Sequence, residues 1–217
     1  MAEQIHKHHK HIRFAVILAW ATLVYNIVEG VISMYFGFEE RSIALAGFGA
    51  DSFVEAGSAI VILWRLWDIE HPAQKNLTKE RLATKIIGSL LAFLGVFVIL
   101  WAGIQLWQKQ VPGTTIPGVI IASISICFMV YFWKVKGRLA DILNSPALRA
   151  DANCARSCMN LSFILLGGSF FYWLSPSLWW IDSVAAIIMG VLISKEGIET
   201  YQAAKAADFD GGCGCHH

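Results

Sequence analysis

The sequence predicts an all-α membrane protein of six transmembrane helices with both termini cytoplasmic, and three observations carry that reading. The chain has 217 residues, 56% of them hydrophobic, with a mean hydropathy of +0.56. That is too apolar for an ordinary soluble domain and too short for several domains. Six stretches, at roughly 14–36, 42–67, 84–107, 116–135, 146–174 and 178–202, each meet the requirement of about 20 mostly apolar residues per crossing. Finally, the basic residues are asymmetric. Lys7, Lys10 and Arg13 precede the first stretch, Arg65, Lys75, Lys79, Arg81 and Lys85 surround the second connection, and Lys134, Lys136, Arg138 and Arg149 surround the fourth. The opposite side carries Arg41 and Lys109. Because Lys and Arg are retained in the cytoplasm, this places both termini there.

Three regions follow. Residues 1–13 form a cytoplasmic segment rich in His, residues 14–205 the six-helix transmembrane domain, and residues 206–217 a short cytoplasmic tail with Cys213, Cys215, His216 and His217. The polar start is followed by an apolar run without a small-residue cleavage site, so the first stretch reads as an anchor rather than a removed signal. Pro112-Gly113 and Pro117-Gly118 bracket the connection between the third and fourth stretches, and Ser175-Pro176-Ser177 makes the last turn short. Trp107, Trp133, Trp173, Trp179 and Trp180 fall near stretch ends, where an amphipathic ring suits the headgroup region. Compactness and the lack of a targeting segment suggest a multi-pass protein of the inner (cytoplasmic) cell membrane.

Several function classes drop out. A net charge of +1, with no basic stripe, gives no reason to expect nucleic acid. No phosphate-binding loop or nucleotide motif occurs, no enzyme chemistry is indicated, and no cofactor is expected. The five cysteines are odd in number and lack the distribution of a disulfide-stapled domain. Cys127, alone in an apolar run, reads as a small buried hydrophobe.

What remains is a pattern written twice. Ala44-Leu45 is followed by Asp51-Ser52-Phe53-Val54-Glu55, and Ala147-Leu148 by Cys154-Ala155-Arg156-Ser157-Cys158, with the same offset from the Ala-Leu pair to the first polar donor. Residues four apart share a helix face. Each stretch therefore presents two metal-capable side chains, and together Asp51, Glu55, Cys154 and Cys158 would offer two oxygen and two sulfur donors to one ion at membrane depth. Ionisable groups inside a membrane cost a few kcal/mol each, which makes them functional hypotheses, and internal repeats are a common way to build a site near the midplane. Thiolates select softer ions such as zinc, cadmium, lead, mercury or Cu(I) over magnesium, calcium and manganese.

These motifs resemble those of the cation diffusion facilitators. Ser42-Ile43-Ala44-Leu45 through Glu55 is similar to the family's second helix, whose first ligand is His or Asp and whose second is Asp. Ala147 through Cys158 resembles its Ala-Asp-Ala-x-His-x-x-x-Asp fifth helix. Trp179-Trp180-Ile181-Asp182, Ala185-Ala186 and Glu196-Gly197-Ile198 look like its sixth, and Asn26 also fits. The resemblance covers nearly the whole transmembrane region. It departs in having Glu55 for Asp, in having Cys154 and Cys158 for His and Asp, and in lacking the family's C-terminal cytoplasmic domain. It implies a homodimer made through membrane helices; Gly88 and Gly95 permit close helix approach, though within one subunit as readily as between two.

The function expected is a proton-coupled exporter of soft or borderline divalent cations, zinc and cadmium first, with lead and mercury within reach. Its partners would be the metal ion, protons and the bilayer. The alternative is a membrane thiol redox protein, or a metal sensor that binds without transporting, using Cys154 and Cys158. His6, His8, His9 and His11, with the Cys/His tail, are compositional metal-binding tracts. Four further polar residues stay outside the ligand set: Glu29 as a proton carrier or first-contact ligand, Arg156 as the partner of Asp151, Glu29 or another acid in an ion pair, and Asp182 as an N-terminal cap of the sixth helix.

Overall fold

In the computed structural model the described residues are 2–70, 77–111, 116–143, 146–175 and 177–206. They form six helices and no strand: α1 (Ala2–Glu39), α2 (Ile43–Glu70), α3 (Leu77–Gln108), α4 (Ile116–Leu143), α5 (Pro146–Leu174) and α6 (Ile181–Lys205). The tail residues Cys213, Cys215, His216 and His217 lie outside the described residues, and of the four N-terminal histidines only the side chain of His11 is described. Among the described residues, five apolar spans are long enough to cross a bilayer: His11–Glu39, Ile43–Trp64, Thr84–Gln108, Ile116–Leu143 and Asp151–Leu174. The helix α6 is 25 residues long, but Lys195, Glu196 and Glu199 interrupt its apolar run.

The helices associate as three antiparallel pairs. In α1/α2, Gly37 sits against Ala46 and Gly49 against Ser33 and Met34. In α4/α5, Ser162 Oγ donates to Ser125 Oγ at 3.0 Å. In α3/α6, glycine permits the closest approach. A Cβ on Gly88 would lie 2.6 Å from the Tyr201 nitrogen, and one on Gly190 would lie 2.8 Å from the Gly95 carbonyl. Such a seam of small residues lets two backbones touch where no solvent drives association. Gly88 and Gly95 therefore serve packing within the chain.

One end of the bundle holds the C-terminal ends of α1, α3 and α5 and the starts of α2, α4 and α6; the other, here the terminal end, holds the starts of α1, α3 and α5 and the C-terminal ends of α2, α4 and α6. At the first end α1 and α3 terminate alike. Arg41 (φ 54°) and Lys109 (φ 52°) adopt the left-handed conformation. The following amides close back, Ser42 N–H to Gly37 O at 2.9 Å and Gln110 N–H to Gln105 O at 3.1 Å, which satisfies carbonyls left over at each helix terminus.

Ser42 then caps α2, accepting from Leu45 N–H at 3.1 Å. Its own hydroxyl donates to Asp182 Oδ1 at 2.6 Å, and Ile43 N–H donates to Asp182 Oδ2 at 3.2 Å. Asp182 therefore caps α2 rather than its own helix, whose N-cap Trp180 makes no side-chain capping bond. A carboxylate in the first turn of α6 also lies over the start of α2, where the helix dipole favours negative charge.

Three other sequence expectations change. The fourth helix continues past 135 to Leu143, because a helix needs no apolar side chains once it leaves the hydrocarbon slab. This carries Lys136 from a supposed loop into the bundle, where its Nζ lies 2.8 Å from Asp151 Oδ2, both side chains nearly inaccessible. Arg156, the expected partner of Asp151, is exposed and lies over the Trp133 ring, 5.8 Å from its centroid. Cys127 is exposed on the outer face of α4.

The radial distribution is inverted relative to a soluble protein. Large apolar side chains such as Ile17, Phe93, Leu100, Tyr131 and Phe171 point outward, and Trp107 and Trp173 stand out near helix ends. Asn26, Glu29, Asp51, Ser52, Ser125 and Ser162 are buried. A lipid-solvated exterior around a hydrogen-bonded polar interior is the arrangement a bilayer requires.

Candidate metal site

The polar interior concentrates where α1, α2 and α5 meet. Asp51 and Glu55 stand one turn apart on α2, and Cys158 of α5 faces them. One donor atom from each can be chosen such that all three lie within 4.8 Å of one another. Asp51 and Cys158 are buried, and Glu55 is half-buried. The Cys158 thiol and the Glu55 carboxylate face each other within that group. Asn26 of α1 donates from Nδ2 to Glu55 Oε2 at 3.2 Å, leaving its buried Oδ1 without a partner.

Glu29, one turn along α1, faces the same helix of the site. It accepts from Tyr25 Oη at 2.6 Å and from Ser52 Oγ at 3.0 Å. Tyr25 in turn stacks on Phe128 of α4, with centroids 4.5 Å apart. The carboxylate of Glu29 is thus held by neutral donors beside the cluster, with no cation in that set of contacts. Ser52, between Asp51 and Glu55 in sequence, links Glu29 to α2.

Of the four sequence-expected ligands, Asp51, Glu55 and Cys158 converge, while Cys154 stands outside that group of three. Cys154 is buried one turn nearer the terminal end and lines a small adjoining cavity with Asp51, Glu55, Ser58, Leu91, Glu196 and Thr200. The sequence reading left Glu196 out of the site, although it is an acid within a helix that must cross the membrane. That signal was present. What it lacked was the register of α6 against α3, fixed by Gly197 lying against Ala92 and Gly88.

Two carboxylates and a thiol in a low-dielectric interior form an oxygen-and-sulfur donor set with more negative capacity than any described cation beside it offsets. Lys136 is already paired with Asp151, and Lys195 lies 3.6 Å from Glu199 in an exposed pair. A bound cation or bound protons must supply the compensation. The chemistry available is reversible exchange between the two. The class thus defined is a helical membrane domain with a buried acid-and-thiol cluster suited to a cation, rather than an enzyme.

Residues 15–204 match the cation efflux transmembrane domain, and the chain belongs to that family. It is 26% identical over 195 residues to an uncharacterized transporter, YdbO, of Bacillus subtilis, covering 85% of this chain and 65% of the relative. It is 21% identical over 187 residues to transmembrane protein 163 of Xenopus laevis, with the same coverage of 85% and 65%. A manganese efflux system protein, MneS, of Bacillus subtilis is 23% identical over 202 residues, covering 89% of this chain and 68% of the relative. The chain thus spans about two thirds of the length of these relatives.

Proposed function

We propose that this protein exports soft or borderline divalent metal cations, zinc and cadmium first, in exchange for protons. The observation that carries the reading is the convergence of Asp51, Glu55 and Cys158 donor atoms within 4.8 Å at the buried junction of α1, α2 and α5, in a chain of the cation efflux family. A carboxylate binds metal when deprotonated, and so does a thiol; metal and protons therefore compete for the same atoms. From the cytoplasmic side, a cation would displace protons from Asp51, Glu55 and Cys158. After a rearrangement that opens the site outward, external protons would displace the cation.

The thiol sets the selectivity. One of the relatives is named for manganese efflux, an ion that prefers oxygen donors, whereas a sulfur in the cluster favours zinc and cadmium. Asn26 orients Glu55 through its 3.2 Å hydrogen bond, as groups behind a ligand commonly do. The Lys and Arg bias supports a terminal end that faces the cytoplasm, with the protein in the inner cell membrane. A homodimer through the membrane helices belongs to this reading, but its contact must lie elsewhere than Gly88 and Gly95.

The test is metal uptake into proteoliposomes under an imposed pH gradient, with zinc and cadmium, for the wild type and Asp51→Ala. Gradient-dependent uptake that disappears in the variant supports the exporter. Stoichiometric binding in detergent without flux of any ion contradicts it.

A further inference from the structure

Cys154 presents a problem that the three-residue cluster leaves open. It repeats the spacing of α2, it is buried, and it stands outside the group formed by Asp51, Glu55 and Cys158. Its surroundings supply an answer. The cavity it lines is bounded by Asp51, Glu55 and Ser58 of α2, by Leu91 of α3, and by Glu196 and Thr200 of α6. Thr200 is 1% exposed, and its Oγ1 has no hydrogen-bond partner. Leaving a buried hydroxyl unpaired is destabilising, a penalty that a ligand in the cavity would remove.

The size of the cavity narrows the occupant. Its volume is about 10 Å³, at the lower edge of the ~10–15 Å³ that one water needs. A dehydrated divalent ion is smaller than a water molecule. Three carboxylates, a thiol and two hydroxyls around so small a space suit such an ion better than any organic ligand.

Position gives the role. Cys154 lies one turn before Cys158 on α5, Ser58 follows Glu55 on α2, and Thr200 lies one turn beyond Glu196 on α6. Along these antiparallel helices, all three displacements run toward the terminal end. Asp51 and Glu55 contribute to both the three-residue cluster and this cavity.

We propose that Glu196, Cys154 and Thr200 form a second cation position, one turn toward the terminal end, from which the ion passes to Cys158 over the shared carboxylates of Asp51 and Glu55. This rests on the exporter reading for its direction of travel, but the binding itself does not. The ligand is a soft divalent cation, and the step is exchange of one thiolate for the other with the carboxylates held throughout. Glu196 and Cys154 are the residues that distinguish the two positions.

The experiment uses the full chain in detergent with Cys127, Cys213 and Cys215 replaced by Ser, titrated with cadmium and followed by thiolate-to-cadmium ultraviolet absorption. In the Cys158→Ser background the band reports Cys154 alone. We expect it to form there, to weaken in apparent affinity by roughly tenfold or more with Glu196→Gln, and to recover with Glu196→Asp. A band unchanged within twofold by Glu196→Gln overturns the proposal, and so does the absence of any band in Cys158→Ser protein that elutes as the wild type does. The readout is independent of transport. Loss of wild-type flux with the Glu196 dependence intact would sink the exporter and leave the second position standing. Intact flux without that dependence would do the reverse.

Discussion

Helices α2 and α5 carry the same spacing of donors after the same Ala-Leu pair, yet the fold uses them differently. On α2 both Asp51 and Glu55 join the buried cluster. On α5 only Cys158 joins it, while Cys154 lines the neighbouring cavity with Glu196. A spacing of four places two side chains on one face of a helix. It does not by itself place them in one coordination shell, because which partner each meets depends on the helix opposite. Cys158 meets Glu55 of α2, and one turn further Cys154 meets a wall to which α6 also contributes.

That difference can be broken from several sides. The largest effect should come from the anchor that sets the pose of α5. Lys136→Met leaves Asp151 buried without its 2.8 Å partner and should destabilise the bundle by about 3–5 kcal/mol. Thermal unfolding in detergent would show it, and adding Asp151→Leu should restore much of the loss. Next, Asp51→Asn should lower zinc and cadmium uptake by roughly 100-fold or more, beyond the ~10–100-fold typical of groups behind a ligand. A residual rate near the wild type would remove α2 from the cation path.

Smaller changes sharpen the contrast within α5. Cys158→Ser should weaken cadmium binding by roughly tenfold and zinc binding by less, following the softness of the lost donor. Cys154→Ser should slow cadmium uptake less than Cys158→Ser does, because it touches the proposed second cation position and not the three-residue cluster. Equal losses in initial uptake rates would return both thiols to a single shell. The smallest effect concerns the entrance of α2. Asp182→Ala removes the acceptor for Ser42 Oγ and Ile43 N–H and should cost about 1 kcal/mol. Melting would register this with little change in metal affinity.

Much of this architecture was legible beforehand. The helix count follows from apolar length, the facing of Asp51, Glu55 and Cys158 from a repeated spacing, and the family from the resemblance of the motifs on the second, fifth and sixth helices. What escaped depends on contacts between helices. Asp182 looked like the cap of α6 because it stands in that helix's first turn, but the start of α2 lies within its reach. Lys136 looked like a loop charge because hydropathy fades near 135, whereas the helix runs on and buries it against Asp151. Arg156 looked like the partner of a buried acid, while its helix face turns it outward over Trp133. Glu196 was legible as an intramembrane acid. Its approach to Cys154 required the glycine seam between α3 and α6.

The central claim is that Asp51, Glu55 and Cys158 hold one cation together. It is tested most directly in protein whose sole cysteine is Cys158, the other four replaced by Ser, by titrating the thiolate-to-cadmium absorption with and without Asp51→Asn and Glu55→Gln. The account predicts a saturable band in the parent that weakens by roughly tenfold or more in each variant. A band of unchanged affinity in both variants would show a thiol binding cadmium without the carboxylates, and would contradict the site.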